Sequence, residues 1–246
     1  MNEKNIESMR IRQLSPDKIL DPERFMRYRT SKLMLPVVLN LINNNNLKIC
    51  DVGGANGLFL NYILQFSKYE IEPYILEVND YYKKEIVNPK IQFLHRSILN
   101  SKLPDNSFDI ITFCDLLHHL VSNNIKHTYK IQELALNEIF RITKNGGYIV
   151  FLEKVNQIRI FSWIVFLFSK IANKFKLKLR FLQSGIVIVC FLNQKRIKDM
   201  IYQSKKIFNL KILKEKYSPQ KKPPLIWKLT ILNYKMGWVE VLIKKI

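Results

Sequence analysis

The chain has 246 residues, of which 48% are hydrophobic, with only 7 Gly and 9 Pro, which excludes disordered, collagen-like and low-complexity classes. Its longest stretch without Lys, Arg, Asp or Glu runs from Val52 to Ser67, 16 residues, short of the roughly 20 apolar residues that a membrane-spanning helix needs. The net charge is +20, and residues 151–246 carry +17 of it, with 21 basic against 4 acidic side chains. An anionic partner (membrane surface, lipid phosphate or nucleic acid) therefore stands beside a codon-driven lysine excess as the explanation. The opening MNEKNIESMRIRQL has no apolar core of the kind a secretory signal requires, so export by that route is not expected. Cys50, Cys114 and Cys190 lie far apart, with no CxxC pair or Cys/His cluster. That argues against a disulfide framework and a structural zinc site, and makes a reducing cytoplasm the default.

In chain order, Asp21-Pro22 predicts a helix start, and the helix carries Phe25, Tyr28, Arg29 and Met34. Leu47–Val52 reads as a short buried strand that ends in the turn GGANG, and a helical pattern runs from Leu58 to Ser67. Strands are expected at Tyr74–Val78, Ile91–Leu94 and Phe108–Cys114, followed by a helix carrying Ile131, Leu134, Leu136, Ile139 and Phe140. A turn at Lys144–Gly147 then leads into a fifth strand, Tyr148–Leu152. Strands alternating with helices predict a parallel sheet covered on both faces, with ligands at the carboxyl ends of its strands.

Residues 154–192 break the rhythm. The decapeptide IFSWIVFLFS, Ile160–Ser169, is flanked by Arg159 and Lys170 and runs on to Lys174, Lys176, Lys178 and Arg180; a second apolar run spans Phe181–Leu192. A helix near Gln194–Ser204 and strands near Leu210–Tyr217 and Trp238–Lys244 complete the pattern, the strands separated by a long loop with Pro219, Pro223 and Pro224. The expected organisation is one α/β domain over 1–246. It comprises an N-terminal helical cover (1–46), a ligand-binding core (47–153), an apolar and basic lid (154–192), and a C-terminal helix with a strand hairpin (193–246).

The chemistry starts in ICDVGGANG, residues 49–57. Gly53, Gly54, Ala55 and Gly57 let backbone approach a ligand closely, and Glu77, twenty residues past Gly57 at the end of the second strand, can accept hydrogen bonds from both hydroxyls of a ribose. The glycine spacing departs from G-x-G-x-x-G, so NAD fits poorly, and no GKS or GKT element for triphosphate is present. Asp51, Gly53, Ala55 and Gly57 resemble the acidic-x-Gly-x-Gly-x-Gly motif of class I S-adenosylmethionine-dependent methyltransferases, with Ala for the middle Gly. LPDNSFDIITFCDLLHHL (103–120) and EIFRITKNGGYIVFLE (138–153) are similar to elements of the small-molecule branch often called type 11, with Thr143 and Asn145 in place of Leu and Pro.

That resemblance implies a Rossmann-like methyltransferase fold: a mostly parallel seven-stranded sheet with a C-terminal antiparallel strand. It implies S-adenosylmethionine as cofactor and no metal. The turn Asp51–Gly57 would hold its methionine part, Glu77 the ribose, Val78 one side of the adenine, and Ser97 and Ile98 the adenine edge. Asp115 and Leu116 would lie beside the sulfonium. His118 and His119 are the candidate bases, since imidazole titrates near neutral pH; His119 is slightly favoured. The lid position over the substrate pocket, with its apolar face and basic flank, suits a lipid-like acceptor and peripheral contact with the anionic inner membrane surface. The leading reading is methyl transfer to an oxygen or carbon nucleophile of a small-molecule or lipid-linked acceptor. RNA methylation by way of the basic C-terminal part and non-catalytic cofactor binding are the alternatives.

Overall fold

The computed structural model describes residues 34–175, 188–220 and 235–246. The helix expected from Asp21, with Tyr28 and Arg29, lies outside the described residues, as do Lys176, Lys178, Arg180, Pro223 and Pro224. The elements are α1 (Met34–Leu41), β1 (Leu47–Val52), α2 (Leu58–Phe66), β2 (Ile71–Glu77), α3 (Tyr81–Lys84), β3 (Gln92–His95), β4 (Phe108–Cys114), a 3-10 turn (Leu117–His119), α4 (Ile125–Ile142), β5 (Thr143–Asn156), α5 (Arg159–Lys174), α6 (Gln194–Ser204), β6 (Leu210–Pro219) and β7 (Met236–Lys245). The strands form one sheet in the order β3-β2-β1-β4-β5-β7-β6. Strands β1 to β5 are parallel, β7 runs antiparallel to β5, and β6 pairs antiparallel with β7. The expected seven-stranded α/β architecture is present.

Alternation of side chains along each strand divides the core into two faces. Cys50, Val52, Ile111 and Phe113 point to the face covered by α4 and α6, where Leu136, Ile139, Ile197 and Met200 meet them. Ile49, Ile75, Ile110 and Cys114 point to the other, against Val38 of α1 and Phe59 and Ile63 of α2. Helix α4 begins at Asn124, whose side chain accepts a hydrogen bond from His127 N; Asn193 caps α6 in the same way through Arg196 N. These caps satisfy amide donors that the helix itself leaves open.

All strands except β1 and β4 depart from the expected limits. β6 runs on to Pro219, expected in the loop, and β7 spans Met236–Lys245, because the two pair with each other out to Pro219 and Gly237. β2 starts three residues earlier, at Ile71, and includes Pro73; β3 pairing begins only at Tyr74, so on that side the missing N–H of Pro73 deprives no ladder bond. β3 itself is shifted by one residue, to Gln92–His95. β5 is far longer than Tyr148–Leu152. The Lys144–Gly147 turn sits inside it as an irregularity, with Phe108 opposite Thr143 and Ile110 opposite Tyr148, and its far end is extended by pairing with β7. Gly147 is needed there, since a Cβ would lie 2.8 Å from Asp109 O.

Lys245 locks the end of β7 to the α4–β5 junction. Its Nζ donates to Thr143 O at 2.7 Å, Asn106 Oδ1 at 2.9 Å and Phe140 O at 3.0 Å, and burial lowers its pKa from the ordinary lysine value. Replacing it by Met keeps the stem and orphans these acceptors, so Lys245→Met is expected to lower unfolding free energy in denaturant titrations by about 2 kcal/mol. An unchanged midpoint would contradict this capping role.

Candidate active site

The chain leaves β1 toward β2 on one side of the sheet and leaves β4 toward β5 on the other. A crevice opens where strand order reverses in this way. Two connections border it: residues 53–57 after β1 and residues 115–119 after β4. The buried Asp51 ties their strands together, its Oδ1 accepting from Thr112 Oγ1 at 2.8 Å. Gly53 has φ +70, and a Cβ there would come 3.2 Å from Leu116 Cδ1, so the two connections pack directly. A Cβ at Gly54 would sit 2.8 Å from Asp51 Oδ2, and one at Gly57 (φ +81) 2.9 Å from both Ile75 Cδ1 and Ile91 Cδ1. Ala55, the motif's departure from glycine, is itself left-handed, with φ 50.

The ends of β2 and β3 adjoin this loop. Gly53 N donates to Leu76 O and Arg96 N to Glu77 O. Glu77 is buried, and its Oε1 accepts from Val78 N at 2.8 Å and Asn79 N at 3.1 Å. Tyr82 is pushed up to about 12 by burial, reinforced by the Glu77 charge. The carbonyl of Val78 accepts from His95 Nε2 at 3.0 Å. Ser97 Oγ accepts from Leu99 N, and Ile98 packs into the α4-side core. The sequence-selected Asp51, Gly53, Gly54, Ala55, Gly57, Glu77, Val78 and Ser97 thus line adjacent strand ends, while Ile98 lies beneath them.

The turn after β4 is organised by a residue that sequence reasoning did not single out. Glu153, on β5 just past the level where β4 ends, is fully buried. Its Oε2 accepts from Leu116 N at 3.1 Å and Leu117 N at 2.9 Å; its Oε1 accepts from His118 N at 3.2 Å and faces His118 Nδ1 at 2.5 Å. Three backbone donors and one imidazole satisfy a carboxylate that would otherwise be too costly to bury. In the neutral tautomer that donates Nδ1–H to Glu153, the lone pair of His118 is on Nε2. The ring is flanked by His119, 4.2 Å between centroids, and by Phe191 at 4.9 Å. The available signal was an acid ending the apolar run YIVFLE, beside the carboxyl end of β4.

Asp115 has φ 50, and its Oδ1 accepts from Lys154 N at 3.0 Å. Burial pushes its carboxyl above the usual range; His118 opposes that push and Glu153 adds to it. Ligand atoms of Asp115, His118 and Glu153 lie within 4.8 Å of one another, a spacing a cation could use. Both oxygens of Glu153 are already engaged by four donors, so a cation would have to displace the hydrogen bonds that fold the turn. Burial pushes the Cys190 thiol up to about 12 and raises Cys50 as well, which makes both poor nucleophiles near neutral pH.

A family model described as a methyltransferase domain matches residues 50–151, the stretch that contains the glycine loop, Glu77, the β4 turn and most of β5. This stretch is a class I S-adenosylmethionine-dependent methyltransferase domain. Its cofactor is S-adenosylmethionine, and the close contacts that a Cβ would make at Gly53, Gly54 and Gly57 fit a backbone pared down to receive it. A search of the curated proteins finds no significant match. Among solved structures, the chain is similar to a S-adenosylmethionine-dependent methyltransferase from Methanosarcina mazei, with 15% identity, TM-score 0.58, and coverage of 85% of this chain and 97% of that one. It is also similar to geranyl diphosphate C-methyltransferase from Streptomyces coelicolor, solved with Mg2+, geranyl diphosphate and S-adenosyl-L-homocysteine, with 7% identity, TM-score 0.57, and coverage of 86% and 79%. At these identities the likeness concerns the Rossmann-like methyltransferase fold.

The methyltransferase loop has little room for change. Gly57→Ala adds a Cβ at a left-handed position already 2.9 Å from two side chains, and is expected to lower stability by about 2 kcal/mol and to weaken S-adenosylhomocysteine binding in calorimetry. Wild-type stability and affinity together in this variant would contradict the packing described.

Proposed function

We propose that this methyltransferase acts on an oxygen or carbon nucleophile of a small-molecule or lipid-linked acceptor, with His118 as the base. The observation that carries the reading is the Glu153–His118 pair at 2.5 Å, held beside Asp115 and Leu116 at the crevice. Bound S-adenosylmethionine supplies an electrophilic methyl on a sulfonium. The loop Asp51–Gly57 would hold the methionine part, Glu77 the ribose, Val78 and Ser97 the adenine with Ile98 supporting from below, and Asp115 and Leu116 would border the methyl. His118 Nε2 would take the proton that the acceptor's oxygen or carbon gives up as it accepts the methyl from sulfur. Glu153 keeps the ring oriented and stabilises the imidazolium. The sequence favours His119 for this role; the carboxylate lies against His118, and that contact moves the assignment.

In-line transfer needs the nucleophile about 3–3.5 Å from the methyl carbon, with water excluded. Phe191, 4.9 Å from the His118 ring between centroids, would supply an apolar side to this. The basic C-terminal part, residues 151–246, favours an acceptor presented at an anionic surface, with the protein peripheral to the cytoplasmic face of a membrane.

Incubation with methyl-labelled S-adenosylmethionine and separate lipid, small-molecule and RNA fractions tests the acceptor class. Label is expected in lipid or small molecules, and label confined to RNA would overturn the reading. With the labelled fraction as substrate, His118→Gln is expected to reduce kcat by about 100-fold or more with little change in cofactor affinity, whereas His119→Gln retains most of the activity. Full activity in His118→Gln would contradict the assigned base.

A further inference from the structure

Helix α5 leaves the carboxyl end of β5, the sheet edge that carries Glu153 and His118. Ser162, Val165, Phe166, Ser169 and Ala172 are its buried positions. At about 100° per residue, Ile160, Leu167, Phe168, Ile171 and Phe175 fall on the opposite side, within an arc of about 100°. They are not packed: each is between 48% and 63% exposed. One turn of stray apolar surface would need no explanation, but a continuous stripe along four turns does.

The border of the stripe is basic. Arg159, Lys170 and Lys174 project along one edge of it by the same angular count. None of the three forms an ion pair with a carboxylate among the described residues. Each lies over an aromatic ring instead: Arg159 over Trp163 at 4.6 Å, Lys170 over Phe166 at 5.5 Å and Lys174 over Phe175 at 5.7 Å. Trp163 Nε1 donates to Tyr129 OH at 3.1 Å, which fixes the amphipathic indole at the head of the helix. Lys170 Nζ also donates to Asn123 O at 2.6 Å, a neutral acceptor, so the three cations keep uncompensated charge for phosphate along the edge of the stripe.

We infer that this face of α5 docks in the plane of a bilayer that contains anionic phospholipid. Leu167, Phe168 and Ile171 enter the boundary between headgroups and acyl chains, and Arg159, Lys170 and Lys174 meet the phosphates. An RNA would use the cations and leave the stripe in water. Crossing is not at issue, since no described helix is long and apolar enough to span a membrane. The inference deepens the lipid-linked reading of the acceptor, by naming the surface at which such an acceptor is met, yet it stands on α5 alone and survives if the acceptor proves soluble.

The test is sedimentation of the full chain with vesicles of phosphatidylcholine and phosphatidylglycerol at about 7:3, beside pure phosphatidylcholine. Binding to the mixed vesicles is expected to be tighter by about tenfold or more and to weaken with added salt. Leu167→Gln combined with Ile171→Gln changes two exposed positions, and is expected to weaken that binding by about tenfold or more while S-adenosylhomocysteine affinity stays as in the wild type. Arg159→Gln combined with Lys174→Gln leaves the stripe intact and should bring binding to the mixed vesicles down toward the level on pure phosphatidylcholine. Equal binding of the wild type to both vesicles, or wild-type binding by the Leu167/Ile171 double variant, would overturn the inference.

Discussion

The site depends on how closely the backbone leaving β1 approaches the turn leaving β4. Gly53 lies against Leu116, Gly54 against Asp51, and Gly57 against Ile75 and Ile91, each at a separation where a methyl group would collide or press hard. The Asp51–Thr112 hydrogen bond holds the two strands in register beneath this contact. Because the loop is narrow, its conformation is strained in part: Ala55 occupies a left-handed region at φ 50, which costs an L-residue about 1–2 kcal/mol. That cost is met by the surrounding packing and yields a loop with no side chain beyond Cβ along Gly53–Ala55.

Glu153 solves a second problem, the placement of an imidazole on a turn. A buried carboxylate must collect donors, and the amides of Leu116, Leu117 and His118 are the ones within reach. The turn is folded by that demand, and the imidazole of His118 is oriented by the same oxygen. Removing the carboxylate would therefore loosen both the backbone and the ring, and converting it into a metal ligand would do the same. Site and scaffold are coupled through one side chain, which is why β5 must deliver its last acid at the level where β4 ends.

Much of this was legible in the sequence. Strong apolar runs located β1 and β4 at their observed limits, and the helix expected near Gln194–Ser204 is α6. The glycine loop was legible because its requirement is local: small residues after a strand, with an acid a fixed distance on. The first residues of β2 were not, because Pro73 reads as a strand breaker until one sees that its neighbour strand starts beyond it. The last residues of β5 were not, because Lys154 and Asn156 are held by pairing with Trp238 and Met236, some eighty residues away. Glu153 was hidden for the same reason. A lone acid at a strand end looks solvated, and only the adjacency of two strand ends turns it into the partner of His118. The amphipathic stripe of α5 was visible as a pattern, but which of its faces packs was not.

The central claim is that the loop after β1 and the carboxylate after β2 together grip an adenosyl group, and calorimetry of S-adenosylhomocysteine with the wild type and with Glu77→Gln tests it most directly. Loss of hydrogen bonds from a charged acceptor to ribose hydroxyls predicts saturable one-site binding by the wild type and about tenfold or greater weakening in the variant. No binding by the wild type, or equal affinity in the two proteins, would contradict the account.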